Sequence, residues 1–214
     1  MTDIQQVPVL TNKEAAREDD LNSLGMWLFL ASEVMFFGAL FTGYIVYRYT
    51  YPETFSEASR FLDLPYGALN TAILLTSSLT VALAVDSAQR SLKRSLVFFL
   101  LITILLGCVF LGIKGLEYVH KIEQGLFPAG DFTYPGTNPD EARLFFSLYF
   151  TMTGLHAVHM IGGILVMAII AFLALRRHFS EKYYAPVELL ALYWHFVDIV
   201  WIFLFPMFYL IDRA

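Results

Sequence analysis

Long apolar stretches, separated by short polar ones, divide the chain into five segments. They cover about residues 24–49, 67–86, 95–120, 143–175 and 188–211. Each reaches the roughly 20 residues that an α-helix needs to span a bilayer, and the two-residue alternation of a transmembrane β-barrel is absent. The pattern therefore predicts an all-α membrane protein, a bundle of five transmembrane helices that forms a single domain over residues 1–214.

The polar segments complete this picture. Residues 1–21 form a polar, acidic tail without the basic-then-apolar pattern of a signal peptide, so we expect the first helix to act as its own insertion signal. Residues 121–142 form an outer loop whose three prolines and three glycines predict a structured cap rather than another helix.

The positions of lysine and arginine predict the orientation. Eight of them lie in the tail and in the second and fourth connections, against five or six at the opposite face. Because cytoplasmic loops are enriched in these residues, we expect a cytoplasmic N-terminus and an external C-terminus.

Composition agrees with the membrane class. The chain is 57% hydrophobic and only 15% charged, whereas about a quarter of the residues in a soluble domain are charged. The net charge of −5 gives no support for binding to nucleic acid.

Glu33 lies inside the first apolar segment, roughly 13 Å along the helix from the start of the run. A charged carboxylate there costs on the order of 3 kcal/mol, so we expect the side chain to be protonated at rest, paired or hydrated. Intramembrane carboxyl groups mark functional sites by default. The alternative is a carboxyl group buried for packing and satisfied by a neighbouring serine or histidine.

The fourth segment carries His156 and His159, which share a helix face at a spacing of three residues. His159 lies at a depth comparable to that of Glu33, so we expect a Glu33–His159 pair. A metal or haem site is the alternative, with His195 as the third histidine at a useful depth. No Cys–His or multi-carboxylate cluster in the sequence supports zinc or di-iron.

Two more groups carry ionisable side chains near the membrane. Lys114, Glu117 and Lys121 share a face at the outer end of the third segment, and we expect an interfacial ion-pair network there. His195 and Asp198 share a face of the fifth segment, either as a proton relay or as a hydrogen-bonded pair that holds helices together.

A basic cluster follows the fourth segment at the predicted inner surface. It consists of Arg176, Arg177 and His178. Such a cluster suits an anionic lipid headgroup, although the positive-inside bias explains the two arginines equally well.

Four sequence blocks carry a resemblance to a known family. They are L-A-S-E-V-M-F-F (30–37), G-L-E-Y (115–118), T-G-L-H-A-V-H-M-I-G-G (153–163) and Y-W-H-F-V-D-I-V-W-I-F-L-F (193–205). In their order and spacing the chain resembles subunit III of the haem–copper oxidases, specifically of cytochrome c oxidase in its bacterial five-helix form. The L-N-T-A-I-L-L-T-S-S block (69–78) is similar but less diagnostic.

The resemblance implies a non-catalytic core subunit of a bacterial plasma-membrane oxidase. Haem and copper then belong to partner subunits, and this chain binds no redox centre. It would contact subunit I directly, with subunit II and small subunits in the same complex and phospholipids bound. The implied roles are rapid proton uptake through subunit I, protection from turnover-linked inactivation and the holding of lipids.

The family's functional positions can be carried over residue by residue. The glutamate that carbodiimide modifies falls on Glu33, and the lipid-headgroup histidine falls on His178. The other matching positions in the blocks are Glu117, His156, His159, His195 and Asp198.

The chain departs from longer family members, which have two additional helices in front and hold lipids in the cleft between the two parts. The A-S-E-V-M-F-F and W-H-F-V-D blocks favour the cytochrome c branch, with subunit III of a quinol oxidase as the alternative. Two other classes stay open: a haem-bearing membrane anchor, which predicts a Soret band, and a stand-alone proton or ion transporter, which predicts flux without partners.

Overall fold

The computed structural model describes residues 12–176 and 184–211, without the side chains of residues 12–20 and 22. These ranges contain six α-helices and no strand. The helices are α1 (Asn12–Thr50), α2 (Pro52–Ser59), α3 (Leu64–Gln89), α4 (Lys93–Glu123), α5 (Pro139–Leu175) and α6 (Ala185–Tyr209).

Five of these helices are long and apolar enough to cross a membrane, which confirms the predicted all-α architecture with five spans. The polar segment in front of the first span is helical from Asn12 onward, so α1 begins well before the predicted boundary. The connection between the first two spans contains α2, which the sequence reading missed. Its signals were Pro52 at the first helical position and Glu53 in the first turn.

Helices α3 to α6 form a four-helix core, in which α3 packs on α4 and α6, and α5 packs on α4 and α6. The two tryptophans of α6, Trp194 and Trp201, are fully enclosed at its centre. Glycine lets α5 and α6 approach each other closely, because a Cβ atom at Gly163 of α5 would lie 2.9 Å from the Trp194 ring.

Helix α1 lies outside this core, against α6 and α5. Only 11% of its span is buried, whereas the other four spans are 28–44% buried. A Cβ atom at Gly38 of α1 would have no neighbour within 4 Å. Helix α1 is therefore the loosely packed edge of the molecule.

Side-chain hydrogen bonds join α3 to α6 along their length. The ring N–H groups of Trp194 and Trp201 donate to Ser77 Oγ at 2.8 Å and to Thr71 Oγ1 at 3.0 Å. His195 Nδ1 lies 2.7 Å from Ser78 Oγ. Buried ring N–H groups need acceptors, and hydroxyl groups of a neighbouring helix provide them without water.

Helix α2 and the loop 124–138 cover one end of the bundle, which we call the outer end. Thr137 Oγ1 donates to Glu57 Oε2 at 3.0 Å, and Arg143 Nε donates to the Pro128 carbonyl oxygen at 2.8 Å. The loop is therefore held against α2 and α5, and it is shorter than the predicted 121–142 because α4 continues to Glu123 and α5 begins at Pro139.

Candidate functional site

Glu33 and His159 form a pair between α1 and α5, with Glu33 Oε2 3.0 Å from His159 Nε2. The other ring nitrogen, Nδ1, lies 2.8 Å from the Leu155 carbonyl oxygen. A carbonyl oxygen only accepts hydrogen bonds, so Nδ1 carries a hydrogen. The bond between Nε2 and Oε2 then requires one shared proton, either on the carboxyl group or on the imidazole.

The surroundings hold this pair at the edge of the bundle. The Phe37 ring packs edge-on against the His159 ring at 5.2 Å, and the Tyr193 hydroxyl donates to the His159 carbonyl oxygen at 2.9 Å. The side chains of Glu33 and His159 nevertheless keep 18% and 17% of their surface exposed. The shared proton therefore lies next to the membrane or to whatever covers α1 there.

Lys114 and Glu117 form a second pair, inside the core. Lys114 Nζ lies 3.0 Å from Glu117 Oε2, and both residues are almost completely buried. Lys114 Nζ also donates to the hydroxyl groups of Tyr149 at 2.8 Å and Tyr209 at 2.6 Å. The Tyr209 hydroxyl lies 2.7 Å from Glu117 Oε1. Hydrogen bonds thus satisfy both charges without solvent.

The expected interfacial network of Lys114, Glu117 and Lys121 is wrong in its location. Lys114 points into the core instead of reaching the interface, because two tyrosines supply partners for its ammonium group. Lys121 pairs instead with Asp63, at 2.8 Å between Nζ and Oδ2.

His195 and Asp198 do not form the pair that their spacing allowed. His195 bonds across to Ser78 of α3. Asp198 is 3% exposed, and neither of its carboxyl oxygens makes a hydrogen bond to a described residue. The physical reason for His195 is that the Ser78 hydroxyl of the neighbouring helix lies within hydrogen-bond distance of its ring.

His156 is enclosed in the core, with its ring 5.5 Å from the Phe110 ring and 5.3 Å from the Trp201 ring. Neither ring nitrogen has a hydrogen-bond partner among the described residues. The three intramembrane histidines therefore occupy three different surroundings and do not face one cavity. Within residues 12–176 and 184–211, no group of three or more His, Cys, Asp or Glu side chains converges.

Sequence reasoning missed the residues that complete these clusters. They are Tyr149 and Tyr209 around Lys114, and Ser78 beside His195. The signal for Ser78 was its place in a run of three hydroxyl residues, Thr76–Ser78, within an apolar helix. Nothing local marked the two tyrosines, because Tyr is common near the ends of membrane helices.

The predicted lipid-headgroup cluster is only partly within the described residues. Arg176 follows α5 directly, is exposed, and holds its guanidinium over the Phe172 ring at 4.6 Å. Arg177 and His178 lie outside the described residues. An apolar groove of about 480 Å³ opens nearby between α1, α5 and α6, lined by Met26, Phe29, Gly162, Val166, Ile170 and Tyr193 among others.

Comparison with known proteins supplies the family. The sequence pattern of the cytochrome c oxidase subunit III family matches residues 3–212 of this chain. The chain belongs to this family. It is also 31% identical over 198 residues to a probable quinol oxidase subunit 3 of Staphylococcus aureus (strain USA300), covering 92% of each protein. A probable quinol oxidase subunit 3 of Staphylococcus haemolyticus is 30% identical over 199 residues, again covering 92% of each.

Family membership confirms the resemblance seen in the four blocks. The chain is a multi-pass membrane protein of the haem–copper oxidase subunit III family, and subunits of this kind associate with other subunits of an oxidoreductase complex. The roles of the individual side chains stay predictions.

Proposed function

We propose that this chain is subunit III of a quinol-oxidising haem–copper oxidase in a bacterial plasma membrane. The observation that carries the proposal is the likeness to two proteins named probable quinol oxidase subunit 3 over 92% of the chain. It shifts the assignment away from the cytochrome c branch, which the blocks around Glu33 and His195 favoured. The second candidate is subunit III of a cytochrome c oxidase, after which the family is named.

In this proposal the chain is a supporting subunit that packs beside subunit I, and the haem and copper centres lie in its partners. The Glu33–His159 pair supports a role beside subunit I rather than a purely internal one. It holds a shared proton at the exposed edge of the bundle, at mid-depth, where a partner subunit has access. We assign to this pair the support of proton uptake and protection from inactivation during turnover.

The pair has its own test in the purified complex. Glu33→Gln keeps a hydrogen-bonding group but cannot share an acidic proton, so inactivation during turnover should become faster, and His159→Ala should do the same. Glu53→Gln, an exposed carboxyl group of α2, serves as the matched control. Infrared difference spectra should show a protonated carboxyl band that Glu33→Gln removes. Unchanged turnover and spectra in the Glu33 and His159 variants reject the assignment.

Phospholipid is the ligand that we propose for the groove between α1, α5 and α6. Its apolar lining suits an acyl chain, and Arg176 lies six residues beyond Ile170 at the same end of α5, where it suits a phosphate. Lipid analysis of complexes that carry Arg176→Ala should show less anionic lipid retained. Arg143→Ala, at the opposite end of α5, should leave the lipid content unchanged.

We also infer that the N-terminus is cytoplasmic and the C-terminus external. The lysine and arginine bias supports this orientation. An alkaline phosphatase fusion to the C-terminus should be active, because this enzyme folds only outside the cytoplasm, and a fusion to the N-terminal tail should be inactive.

The decisive experiment is to tag the chain in its host and purify the complex in mild detergent. We expect a reduced-minus-oxidised haem spectrum, a co-purifying histidine-rich subunit I, and oxygen consumption with a quinol but not with reduced cytochrome c. Oxygen consumption with cytochrome c instead establishes the second candidate. A haem band that stays with the isolated chain, or ion flux by the chain alone in liposomes, overturns the supporting role.

A further inference from the structure

Two buried polar side chains of the four-helix core have no hydrogen-bond partner among residues 12–176 and 184–211. His156 is 1% exposed and Asn70 is fully buried. Neither ring nitrogen of His156 and neither polar atom of the Asn70 amide makes a hydrogen bond to a described residue. Buried polar groups without hydrogen bonds are rare in folded proteins, so these groups need partners from elsewhere.

Asp198 adds a third group of the same kind. Both of its carboxyl oxygens are buried without a hydrogen bond to a described residue. The Ser78 hydroxyl lies beside the carboxyl group and can accept from His195 Nδ1–H while it donates toward Asp198, so it serves at most one acceptor position. The described residues therefore leave the other acceptor positions of Asp198 open.

His156 lies against one side chain, Trp201, and Asn70 and Asp198 lie on helical turns next to it. The His156 ring lies 5.3 Å from the Trp201 ring, and the Trp201 ring N–H donates to Thr71, the residue after Asn70. Asp198 precedes Trp201 by one helical turn. Lys114 Nζ also lies 5.3 Å from the Trp201 ring, so Trp201 lies between His156 and the Lys114–Glu117 cluster.

The inward face of α4 joins this region to the outer end of the bundle. Lys114, Glu117 and Lys121 follow one another at intervals of three and four residues, and all three are buried. Lys121 in turn pairs with Asp63, whose side chain is 34% exposed. Polar side chains at one-turn intervals thus run from Asp63 at the outer end into the core.

We propose that the four-helix core binds a column of water molecules. The column enters beside Asp63 and Lys121 and reaches Asn70, His156 and Asp198. Water is the ligand that these groups accept, because a buried water molecule makes two to four hydrogen bonds and serves donors and acceptors alike. The column gives the interior of the core access to protons from the outer end. It is separate from the Glu33–His159 pair, which lies at the edge of the bundle beside α1.

Hydroxyl-radical footprinting of the intact purified oxidase tests the column, because X-ray pulses make radicals from water that is already bound inside. Phe110 and Phe145 form a matched pair, since both are completely buried. Phe110 contacts His156 and Trp201, whereas the ring partners of Phe145 are all phenylalanines. We expect Phe110 to be modified several-fold faster than Phe145, and equal slow modification of the two rings overturns the proposal.

A variant sharpens the assignment of individual groups. Asn70→Leu replaces the unpartnered amide with an apolar side chain of similar size, so the modification rate of Phe110 should fall toward that of Phe145. An unchanged rate in the assembled variant overturns the placement of Asn70 in the column. If the variant does not assemble, the modification rates of Phe110 and Phe145 in the oxidase without substitutions still decide whether the core holds the water column. The readout does not depend on the electron donor, so it is independent of the quinol assignment.

Discussion

Two carboxyl groups inside the membrane, Glu117 and Glu33, are held in opposite ways. Glu117 is completely buried in the four-helix core and has two hydrogen-bonding partners, Lys114 and Tyr209, both of which also bond to Tyr149. Glu33 lies on the loosely packed α1, has one histidine as partner, and keeps 18% of its side chain exposed.

The difference distinguishes a carboxyl group that stabilises the fold from one that can exchange a proton. A charge that the protein satisfies on all sides stabilises one packing of the helices, and its loss damages the fold. A pair that shares one proton at an exposed edge can exchange that proton or meet a partner, and its loss should damage activity more than folding. Four substitutions test this contrast.

The largest effect is expected for Glu117→Leu. The change leaves the Lys114 ammonium buried without its counter-charge, which costs about 3–5 kcal/mol. The complex should lose this subunit or unfold at a clearly lower temperature, as thermal unfolding of the purified oxidase measures.

The double variant Lys114→Met with Glu117→Leu is the control, since it removes both charges together. Replacing a whole buried ion pair by apolar residues is often neutral, so most of the lost stability should return. Equal instability of the single and double variants contradicts the account of Glu117 as a counter-charge.

A smaller loss is expected for Gly163→Ala. The new methyl group meets the completely buried Trp194 ring at 2.9 Å, and overpacking of this kind costs about 1–3 kcal/mol. Gly38→Ala on α1 meets no atom within 4 Å and should be neutral or slightly stabilising, because alanine favours helix. Thermal unfolding of the two complexes side by side measures the contrast, and similar midpoints argue against a loosely packed α1.

Glu33→Gln should change stability less, by about 0.5–1.5 kcal/mol, because the amide still forms a hydrogen bond with His159. Its effect on inactivation during turnover should be larger than its effect on unfolding. The rates of inactivation and of unfolding, measured on one preparation, test this expectation. A variant that unfolds readily but turns over normally reverses the assignment of roles.

The smallest effect is expected for Ser78→Ala. It removes one hydroxyl group between α3 and α6, and hydrogen bonds between membrane helices average about 0.6 kcal/mol. Thr76→Ala is the matched control, because the Thr76 hydroxyl bonds only to the Ala72 carbonyl oxygen of its own helix. If both variants unfold alike, the bond from Ser78 to His195 contributes nothing to holding α3 and α6 together.

The sequence was most informative where a property is local. The apolar lengths predicted five spans, and the matching depths of Glu33 and His159 predicted that these side chains would meet. It was least informative about α2, because its eight residues are too few to show a periodic pattern, although Pro52 and Glu53 marked its start. The polar residues after α5 illustrate the remaining limit, since Arg177 and His178 lie outside the described residues and their lipid role stays a prediction.

The sequence by itself determined the membrane class, the five spans, the family and the presence of ionisable side chains at depth, because these depend on length, composition and order along the chain. Only the tertiary structure decided the partners of the other buried polar groups. Lys114 turns inward to Tyr149 and Tyr209, and His195 turns to Ser78 instead of Asp198. The physical reason is that spacing within a helix defines a face, whereas the rotation of each helix against its neighbours decides what that face meets.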